Sequence, residues 1–369
     1  MALYLDHAAT SPLRPEAREA YLRAAEAGGN ASSVHSVGRK AKLLLEEARS
    51  SILTQLEGEG VGRLVFTSGG TEANALALHQ AHDFDYLVVA EGEHDSVYNG
   101  AKVIGKPVIS LPLTANGDAD VAALGQILAE NSGRAFVCVM DANNETGVIS
   151  NVGRVVYEHA GWLHVDAVQS LGKVGLYFDG MGVDSLSLSA HKIGGPQGVG
   201  ALMYHSNHTL KPLLTGGGQE LGLRAGTENV PGIAAFSAAL AACRPLDASV
   251  LAAQAGIEAK LKADGVTILG AGADRVPGIL CIAQPQWASP LQLIHMDMAG
   301  ICVSSGSACS SGKVKASRVA TAMGHADLAD KVLRISAGWT TKAEDWAQFY
   351  DVWSKGYSAF LKRHTKEVA

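Results

Sequence analysis

Residues 184–200 constrain the fold of this chain more than any other stretch, reading Asp-Ser-Leu-Ser-Leu-Ser-Ala-His-Lys-Ile-Gly-Gly-Pro-Gln-Gly-Val-Gly. Alternating serine and leucine predict a strand, and the glycines and proline that follow predict its end. Lys192 therefore stands just past a strand end, with Ser189 and His191 beside it. A lysine before a glycine turn is ordinarily a surface charge, so this position alone assigns Lys192 no chemical role.

A second strand-to-loop unit changes the interpretation of Lys192. Residues 162–170 end an apolar run at Asp166, 26 positions before the lysine. A lysine amine can bond to a carbonyl cofactor, and pyridoxal phosphate needs an acidic partner for its ring nitrogen. Gln169 is close enough in sequence to serve either the phenolic oxygen of that ring or the aldimine that the lysine would form with it. Taken alone, Asp166 fits equally well as the cap of a helix that starts near residue 167.

Residues 64–80 combine an apolar strand, a Gly69-Gly70 turn and a helix that starts near Thr71. A helix N-terminus directs free backbone N–H groups at its surroundings, which favours phosphate. The pattern lacks the Gly-Lys-Ser ending of a nucleotide-triphosphate loop. Ser-Gly-Gly-Thr also makes an ordinary helix cap, so the phosphate interpretation depends on Ser189 and His191 as further contacts.

Two more predicted strands end in polar side chains. His94 follows the apolar run 87–90, and Asn144 follows the run 135–141. Active-site groups of parallel α/β sheets collect at such carboxyl ends. His94 is placed to stack on a cofactor ring and move protons, and Asn144 to donate to a ring oxygen. The alternatives are a structural loop histidine and a turn asparagine.

Composition and charge argue against several functional classes. The 369 residues suffice for a large and a small domain. A net charge of −6 and a pI near 6.1 give no electrostatic footprint for nucleic acid or an anionic membrane. No secretory signal pattern and no membrane-length apolar run are recognised. We expect a soluble, cytoplasmic protein without direct nucleic-acid or membrane contacts.

The chain has five cysteines: Cys138, Cys243, Cys281, Cys302 and Cys309. Their odd number and the lack of a Cys-x-x-Cys pair argue against a disulfide framework and a zinc site, and no metal is predicted. Four have apolar neighbours and are expected to be buried thiols. Cys309 lies among serines and glycines, the composition of an exposed loop. A surface cysteine without a role is the alternative.

Two further regions bear on the site. The glycine-rich segment 215–229 is too long for a simple turn and has no apolar anchor of its own. The stretch 245–249 is interpreted as the joint between domains. Arg334 lies on a predicted strand, and its guanidinium can hold a substrate carboxylate through two hydrogen bonds.

Seven motifs together make the chain resemble the cysteine desulfurases of the NifS/IscS type, within the class V aminotransferase group. They are Thr-Ser-Gly-Gly-Thr-Glu-Ala-Asn (67–74), Asn-Asn-Glu-Thr-Gly (143–147), His-Val-Asp-Ala-Val-Gln-Ser (164–170), Ser-Ala-His-Lys (189–192), Arg-Ala-Gly-Thr-Glu-Asn (224–229), Ser-Ser-Gly-Ser-Ala-Cys (304–309) and Leu-Arg-Ile-Ser-Ala-Gly (333–338). The cysteine-bearing motif is the most specific, because it separates desulfurases from related transaminases and lyases.

The resemblance implies a role for each candidate residue. Lys192 would bond to pyridoxal 5′-phosphate and move the substrate's α-proton, His94 would stack on the ring and transfer protons, and Cys309 would form a persulfide. The implied cofactor contacts are Thr71, His94, Asn144, Asp166, Gln169, Ser189, His191, Lys192 and, from the partner subunit of a homodimer, Thr227. The implied substrate contacts are Arg334, Asn30 and Asn144.

The implied fold is the α/β fold type I of pyridoxal-phosphate-dependent transferases. Residues 15–246 would form a large cofactor-binding domain with a mainly parallel sheet. Residues 1–14 and 247–369 would form a smaller α/β domain that carries the Cys309 loop. The implied reaction converts L-cysteine to L-alanine and passes the sulfur to an acceptor protein, for iron–sulfur cluster assembly or thiolation. The alternatives are a selenocysteine lyase, a cysteine-sulfinate lyase, an aminotransferase and a non-enzymatic sulfur-transfer platform.

Overall fold

The computed structural model of the protein describes residues 2–150, 153, 161–306 and 315–364. Its strands are β1 (Leu3–Tyr4), β2 (Gly62–Thr67), β3 (Tyr86–Ala90), β4 (Val108–Leu111), β5 (Ala135–Met140), β6 (Trp162–Asp166), β7 (Ser185–Ser189), β8 (Gly200–His205), β9 (Thr267–Ile268), β10 (Ile279–Ala283), β11 (Ile301–Cys302) and β12 (Val332–Ser336). Its helices are α1 (Pro15–Ala27), α2 (Ser36–Gln55), α3 (Gly70–His79), α4 (Asp95–Lys102), α5 (Val121–Glu130), α6 (Phe178–Met181), α7 (Val230–Ala241), α8 (Ala248–Ala263), α9 (Ser289–Met298), α10 (Arg318–Ala322) and α11 (Ala343–His364).

A seven-stranded sheet forms the centre of the larger part of the molecule. Its strand order is β2-β8-β7-β6-β5-β3-β4. The pairs from β7 to β4 are parallel, whereas β8 is antiparallel to both of its neighbours. Because β8 is reversed between them, β2 and β7 run in the same direction. The predicted mainly parallel sheet is confirmed, and the carboxyl ends of β2, β3, β5, β6 and β7 meet at one edge.

Burial on both faces explains the composition of the central strands. Every residue of β3, β5, β6 and β7 is buried, as is typical of parallel sheets covered by helices on both sides. In β7 the leucines face one layer and the serines the other, so the serines are buried polar groups rather than a solvated face. Ser185 satisfies its hydroxyl by accepting from Trp162 Nε1 at 2.9 Å.

Helices cover the two faces of this sheet. Residues of α1, α2 and α7 share one apolar cluster with the sheet, and residues of α3 and α4 share another. Helix α1 begins with Pro15 in its first turn and buries Ala17, Ala20 and Ala24, a spacing that places small side chains on one face. Small residues there allow α1 to pack closely.

The segment 215–229 has a polar anchor in place of an apolar one. Glu220 is buried and accepts from Arg49 Nη2 at 2.8 Å and from the backbone N–H of Phe66 at 2.7 Å. Since the buried carboxylate is paired with a guanidinium and hydrogen-bonded to a strand, the loop is held against β2.

Two smaller sheets complete the described structure. Strands β12, β10 and β9 form an antiparallel sheet, and β1 pairs in parallel with β11. The side chains of Trp346, Phe349 and Trp353 are buried in the apolar cluster of this part. The first residues of the chain thus pair with its last third, while the predicted domain bounds at 14/15 and 246/247 stay predictions. In the described part of the chain, no helix combines the length and the apolar character that crossing a bilayer requires.

Candidate active site

A cavity of about 410 Å³ lies at the edge where the parallel strands end. Of the predicted site residues, nine line it: Thr71, His94, Asn144, Asp166, Gln169, Ser189, His191, Lys192 and Arg334. Each of the first eight follows or ends one of the strands β2, β3, β5, β6 and β7. The sheet therefore brings together side chains that are far apart in sequence, as open parallel sheets do at their carboxyl edge.

Lys192 ends a short 3-10 turn that follows β7. Its Nζ donates to the carbonyl oxygens of Ala8 and Ala9, both at 2.8 Å. Burial, followed by the positive charge of Arg334, lowers the pKa of Lys192 to about 8. A sizeable fraction of free amine thus exists just above neutral pH, which a nucleophilic lysine requires.

Asp166 is the last residue of β6. Its hydrogen bonds fit both interpretations of its sequence position, a capping residue and a cofactor contact. Its Oδ1 accepts from the backbone N–H of Val168 at 3.0 Å, as a turn-capping aspartate does. Its Oδ2 accepts from Asn74 Nδ2 at 2.8 Å within the cavity lining. The carboxylate is buried and both of its oxygens accept hydrogen bonds, so its orientation is fixed. In that orientation it can pair with a cationic ring nitrogen.

Buried side chains behind Asp166 fix the direction of that contact. A carboxylate can only accept, so Asn74 turns Nδ2 to Asp166 and Oδ1 to His164 Nε2, 3.0 Å away. His164 Nδ1 then accepts from Ser185 Oγ at 2.9 Å. Burial lowers the pKa of His164 to about 3, so this ring is neutral at neutral pH.

His94 precedes α4 and caps it. Its Nδ1 accepts from the backbone N–H of Ser96 at 3.2 Å and lies 2.8 Å from Ser96 Oγ. Ser96 Oγ in turn accepts from Asn74 Nδ2 at 2.8 Å. The imidazole therefore has a structural role as the cap of α4 and is also a fixed ring on the cavity wall.

The end of the cavity near α3 is suited to a phosphate. Thr71 lies in the first turn of α3, whose N-terminus presents free N–H groups. Ser189 Oγ is buried beside Gly70 and has no hydrogen-bond partner among the described residues. Burial, Lys192 and Lys173 lower the pKa of His191 to about 4, so its ring is neutral at neutral pH. A phosphate at this end would satisfy the orphaned hydroxyl, and the residues present fit pyridoxal phosphate.

Gln169 lies between the cavity and Lys173, a partly buried lysine that sequence reasoning missed. Its Nε2 donates to the carbonyl of Ala8 at 2.7 Å, the same oxygen that Lys192 contacts. Its Oε1 accepts from Lys173 Nζ at 2.7 Å. The amide therefore has one fixed orientation.

Arg334 is buried on β12 and is already partly engaged. Its Nη2 donates to Asp6 Oδ1 and its Nη1 to the carbonyl of Asn144, at 2.8 and 2.7 Å. Its Nε is buried and, within the part of the chain that the structure describes, has no hydrogen-bond partner. Asp6 therefore holds the guanidinium in place, and a substrate carboxylate would share it with this aspartate.

The described residues on both sides of the 307–314 segment contact Glu145. Gly306 lines the cavity with φ of +85°, and a Cβ there would lie 3.0 Å from Glu145 Oε2. Ser317 Oγ donates to the same oxygen at 2.5 Å. Glu145 is buried, and burial raises the pKa of its carboxyl. Ser304 also lines the cavity and pairs with Arg334 through backbone hydrogen bonds.

Three predicted site residues are not among those that line the cavity. Asn30 is exposed and accepts from the backbone N–H of Ser32 at 2.8 Å. Thr227 is exposed and lines a different hollow, next to Ser68 and Gly198. Cys309 lies outside the described residues.

The other four cysteines are free thiols: Cys138 and Cys281 are buried, whereas Cys243 and Cys302 are only partly buried. The expectation of four buried thiols is therefore wrong for the last two. Cys243 lines a small cavity beside Lys192, and Cys302 lies in the short edge strand β11. Both positions leave part of the side chain uncovered.

The sequence profile described as Aminotransferase class-V matches residues 3–349 of the chain. A protein named cysteine desulfurase from Cereibacter sphaeroides is 36% identical over 93% of this chain and 92% of its own length. The cysteine desulfurase IscS of Dictyoglomus turgidum is 34% identical over 95% and 93%. A solved NifS-like protein from Rickettsia africae superposes with a TM-score of 0.89 at 32% identity, covering 97% of this chain and 100% of that one.

Proposed function

The chain belongs to the class-V aminotransferase family, and we propose that it is a pyridoxal-phosphate-dependent enzyme that desulfurates L-cysteine. Family membership confirms the predicted α/β fold type I and the predicted cofactor. The names of the relatives favour cysteine desulfurase over the lyases, the aminotransferase and the non-enzymatic platform. The observation that carries the proposal is a single cavity that combines a lysine, a buried aspartate and the start of the cysteine loop.

Bound pyridoxal phosphate would supply an electron sink for the pair of electrons left when the substrate loses its α-proton. Lys192 would bond to it and afterwards hold or return that proton at Nζ. Asp166 would stabilise the positive charge on the ring nitrogen. Gln169 and Asn144 would hold the phenolic oxygen, and His94 would cover the ring.

The remaining contacts would hold the phosphate and the substrate. Thr71, Ser189 and His191 would bind the phosphate, together with Thr227 of a second copy of the chain. The homodimer that this requires is part of the proposal. Arg334 would hold the substrate carboxylate, with Asn144 beside it. Asn30 remains a proposed contact, although its side chain is exposed in the single chain.

Cys309 would be the nucleophile that takes the sulfur. Its thiolate donates an electron pair to the substrate sulfur, so an S–S bond forms as the C–S bond breaks. The carbon keeps the C–S pair and gains a proton, which gives L-alanine and a persulfide on Cys309. Three successive Cα–Cα steps of 3.8 Å keep Cys309 within about 11 Å of Gly306, which lines the cavity.

A persulfide is a store of sulfur that another thiol can collect. We therefore propose that an acceptor protein takes the sulfur, as the IscS names of the relatives suggest for iron–sulfur cluster assembly or thiolation. The cytoplasmic location predicted from the sequence is part of the same proposal.

The variant Cys309→Ser tests the proposal, because it exchanges a thiolate for an alcohol of much higher pKa at nearly equal size. We expect the visible band of the cofactor-loaded protein to respond to L-cysteine as in the wild type. In the presence of an added thiol, which reduces the persulfide of the wild type and frees sulfide, the variant should release neither alanine nor sulfide. Mass spectrometry of the loop peptide should show a gain of about 32 Da, one sulfur, in the wild type only.

Desulfuration of cysteine by the serine variant at the wild-type rate would overturn the role of Cys309. Parallel assays with selenocysteine and cysteine sulfinate separate the rival lyases, since selenium and sulfite can leave without attack by a thiol. A wild-type protein that prefers either of these substrates over cysteine contradicts the proposed substrate. Cys302→Ser is the matched control, because it makes the same substitution at a partly buried thiol elsewhere in the chain.

A further inference from the structure

Lys173 is a second amine next to the cavity, and no step described so far uses it. It lies four residues after Gln169, and its partly buried Nζ donates to Gln169 Oε1 at 2.7 Å. Lys173 and Lys192 also line one small cavity of about 90 Å³ behind the active site. Only the Gln169 side chain thus lies between the Lys173 amine and the proposed position of the cofactor.

Two independent constraints fix the orientation of the Gln169 amide. The carbonyl of Ala8 can only accept, so the group 2.7 Å from it must be the Nε2 donor. An ammonium can only donate, so the oxygen must face Lys173. Without Lys173, Gln169 Oε1 would lose this partner, and an unsatisfied polar atom away from water is unfavourable. The amide would then gain by rotating or moving towards the cavity.

Among the described residues, the amine of Lys173 forms no ion pair with a carboxylate. The titratable or charged groups around it are Lys192, Arg334, His7, His191, Cys243, Arg14 and Arg244. Burial, then Lys192 and Arg334, lower the pKa of Lys173 to about 7. These surroundings disfavour the charged form of Lys173. The contact that its amine does make is the hydrogen bond to Gln169 Oε1.

We propose that Lys173 is a positioning residue that holds the Gln169 amide with Nε2 directed at the phenolic side of the cofactor. This inference rests on the proposed cofactor site and extends it by one residue. Lys173 acts only through Gln169 and through its charge behind Lys192. It touches neither substrate nor cofactor.

The test is a pH titration of the visible absorption band of the cofactor-loaded protein, measured without cysteine. Lys173→Met removes the donor to Gln169 Oε1 together with any charge on the amine, and we expect the midpoint to shift by about one pH unit. Lys173→Arg keeps both, and the neighbouring cavity of about 90 Å³ leaves room for the larger group. The arginine variant should restore the wild-type midpoint.

A double-mutant cycle with Gln169→Ala decides whether Lys173 works through the glutamine. If it does, the midpoint shift of the double variant is less than the sum of the two single shifts. Arg244→Met is the matched control, because Arg244 lines the same small cavity but donates only to nearby backbone carbonyls. Thermal unfolding of each variant identifies any that fail to fold, and Lys173→Gln then replaces the methionine variant.

A wild-type midpoint in a folded Lys173→Met or Lys173→Gln variant overturns the inference, and so do shifts that simply add in the double variant. Because the band is titrated in the absence of substrate, these results do not depend on desulfuration. A protein that fails to desulfurate cysteine but shows the predicted coupling would overturn the proposed function and leave the role of Lys173 standing.

Discussion

Asn74 Nδ2 lies 2.8 Å from Asp166 Oδ2 and an equal distance from Ser96 Oγ, so one amide joins the aspartate of β6 to the helix that His94 caps. The other side of the same amide accepts from His164 at 3.0 Å. Strand β6 and helices α3 and α4 therefore meet at one buried side chain. The orientation of Asp166 depends on this contact as much as on its own backbone.

Replacing Asn74 with alanine should slow the reaction without removing any proposed catalytic group. A lost hydrogen bond to a charged group is worth about 1.5–3 kcal/mol, which corresponds to a roughly tenfold to hundredfold lower kcat. The visible band of the bound cofactor should shift as well. Asn131→Ala is the control, since that amide bonds only to the carbonyl of Ile127 in its own helix. Wild-type kcat in Asn74→Ala would show that the aspartate needs no such support.

Lys192→Ala should abolish turnover, because the variant lacks both the cofactor-bonding amine and the proton-transferring base. Loss of the base alone predicts a decrease in kcat of about a thousandfold or more. Some cofactor should still bind through the phosphate end of the cavity. Alanine formation from cysteine is the measurement, and Lys211→Ala, at a half-exposed surface lysine, is the control. Normal alanine formation by the Lys192 variant would refute the assignment.

Arg334→Lys keeps the positive charge but loses the planar fork that contacts Asp6 and Asn144. If Arg334 holds the substrate carboxylate, the KM for cysteine should rise about tenfold to a hundredfold, by the loss of a charge-assisted hydrogen bond. Cysteamine, which lacks the carboxylate, should bind the two proteins equally. An unchanged KM for cysteine contradicts the proposed contact.

Acid should destabilise the protein through three histidines, of which two are buried and the third is partly buried. Burial first, then neighbouring cations in two of them, lower the pKa of His7, His164 and His191 to about 4, 3 and 4. In the unfolded chain these rings protonate near pH 6.5. Their contribution to the free energy of unfolding is therefore fully present above that pH and is lost as the pH falls towards 4.

The slope should be about 1.4 kcal/mol per pH unit for each histidine within this window. Urea unfolding of the cofactor-free protein between pH 4 and 7 measures it. His164→Gln should lower the slope of the free energy of unfolding against pH by about 1.4 kcal/mol per pH unit. His82→Gln, at an exposed position, is the control. A curve of identical slope in His164→Gln would contradict the pKa of that histidine.

The cavity residues that could be predicted from the sequence share one property: each lies just past an apolar run. Asp166 and Lys192 each follow a strand, and the parallel order of the strands turns this common position into proximity. The confirmed fold class rests on the same pattern. The reversed strand β8 carries no distinguishing signal, because antiparallel and parallel central strands are equally apolar.

The supporting residues were beyond sequence reasoning for a physical reason. Asp6 and Arg334 meet across 328 positions, and neither has a local pattern that points to the other. Asn74 had a usable signal, since it lies three positions after Thr71 and therefore on the same face of α3. Lys173, four positions after Gln169, offered a similar clue.

The pairing of the chain's first strand with its last third has a consequence for biosynthesis. The ion pair between Asp6 and Arg334, and the hydrogen bond from the Ala8 backbone N–H to Ser336 Oγ, form only when β12 is in place. The ribosome must therefore synthesise nearly the whole polypeptide before Asp6 can contact Arg334 at the cavity. We expect nascent chains stalled before Val332 to lack the proposed contact of Arg334 with the substrate carboxylate, so that a working site follows release from the ribosome rather than accompanying elongation.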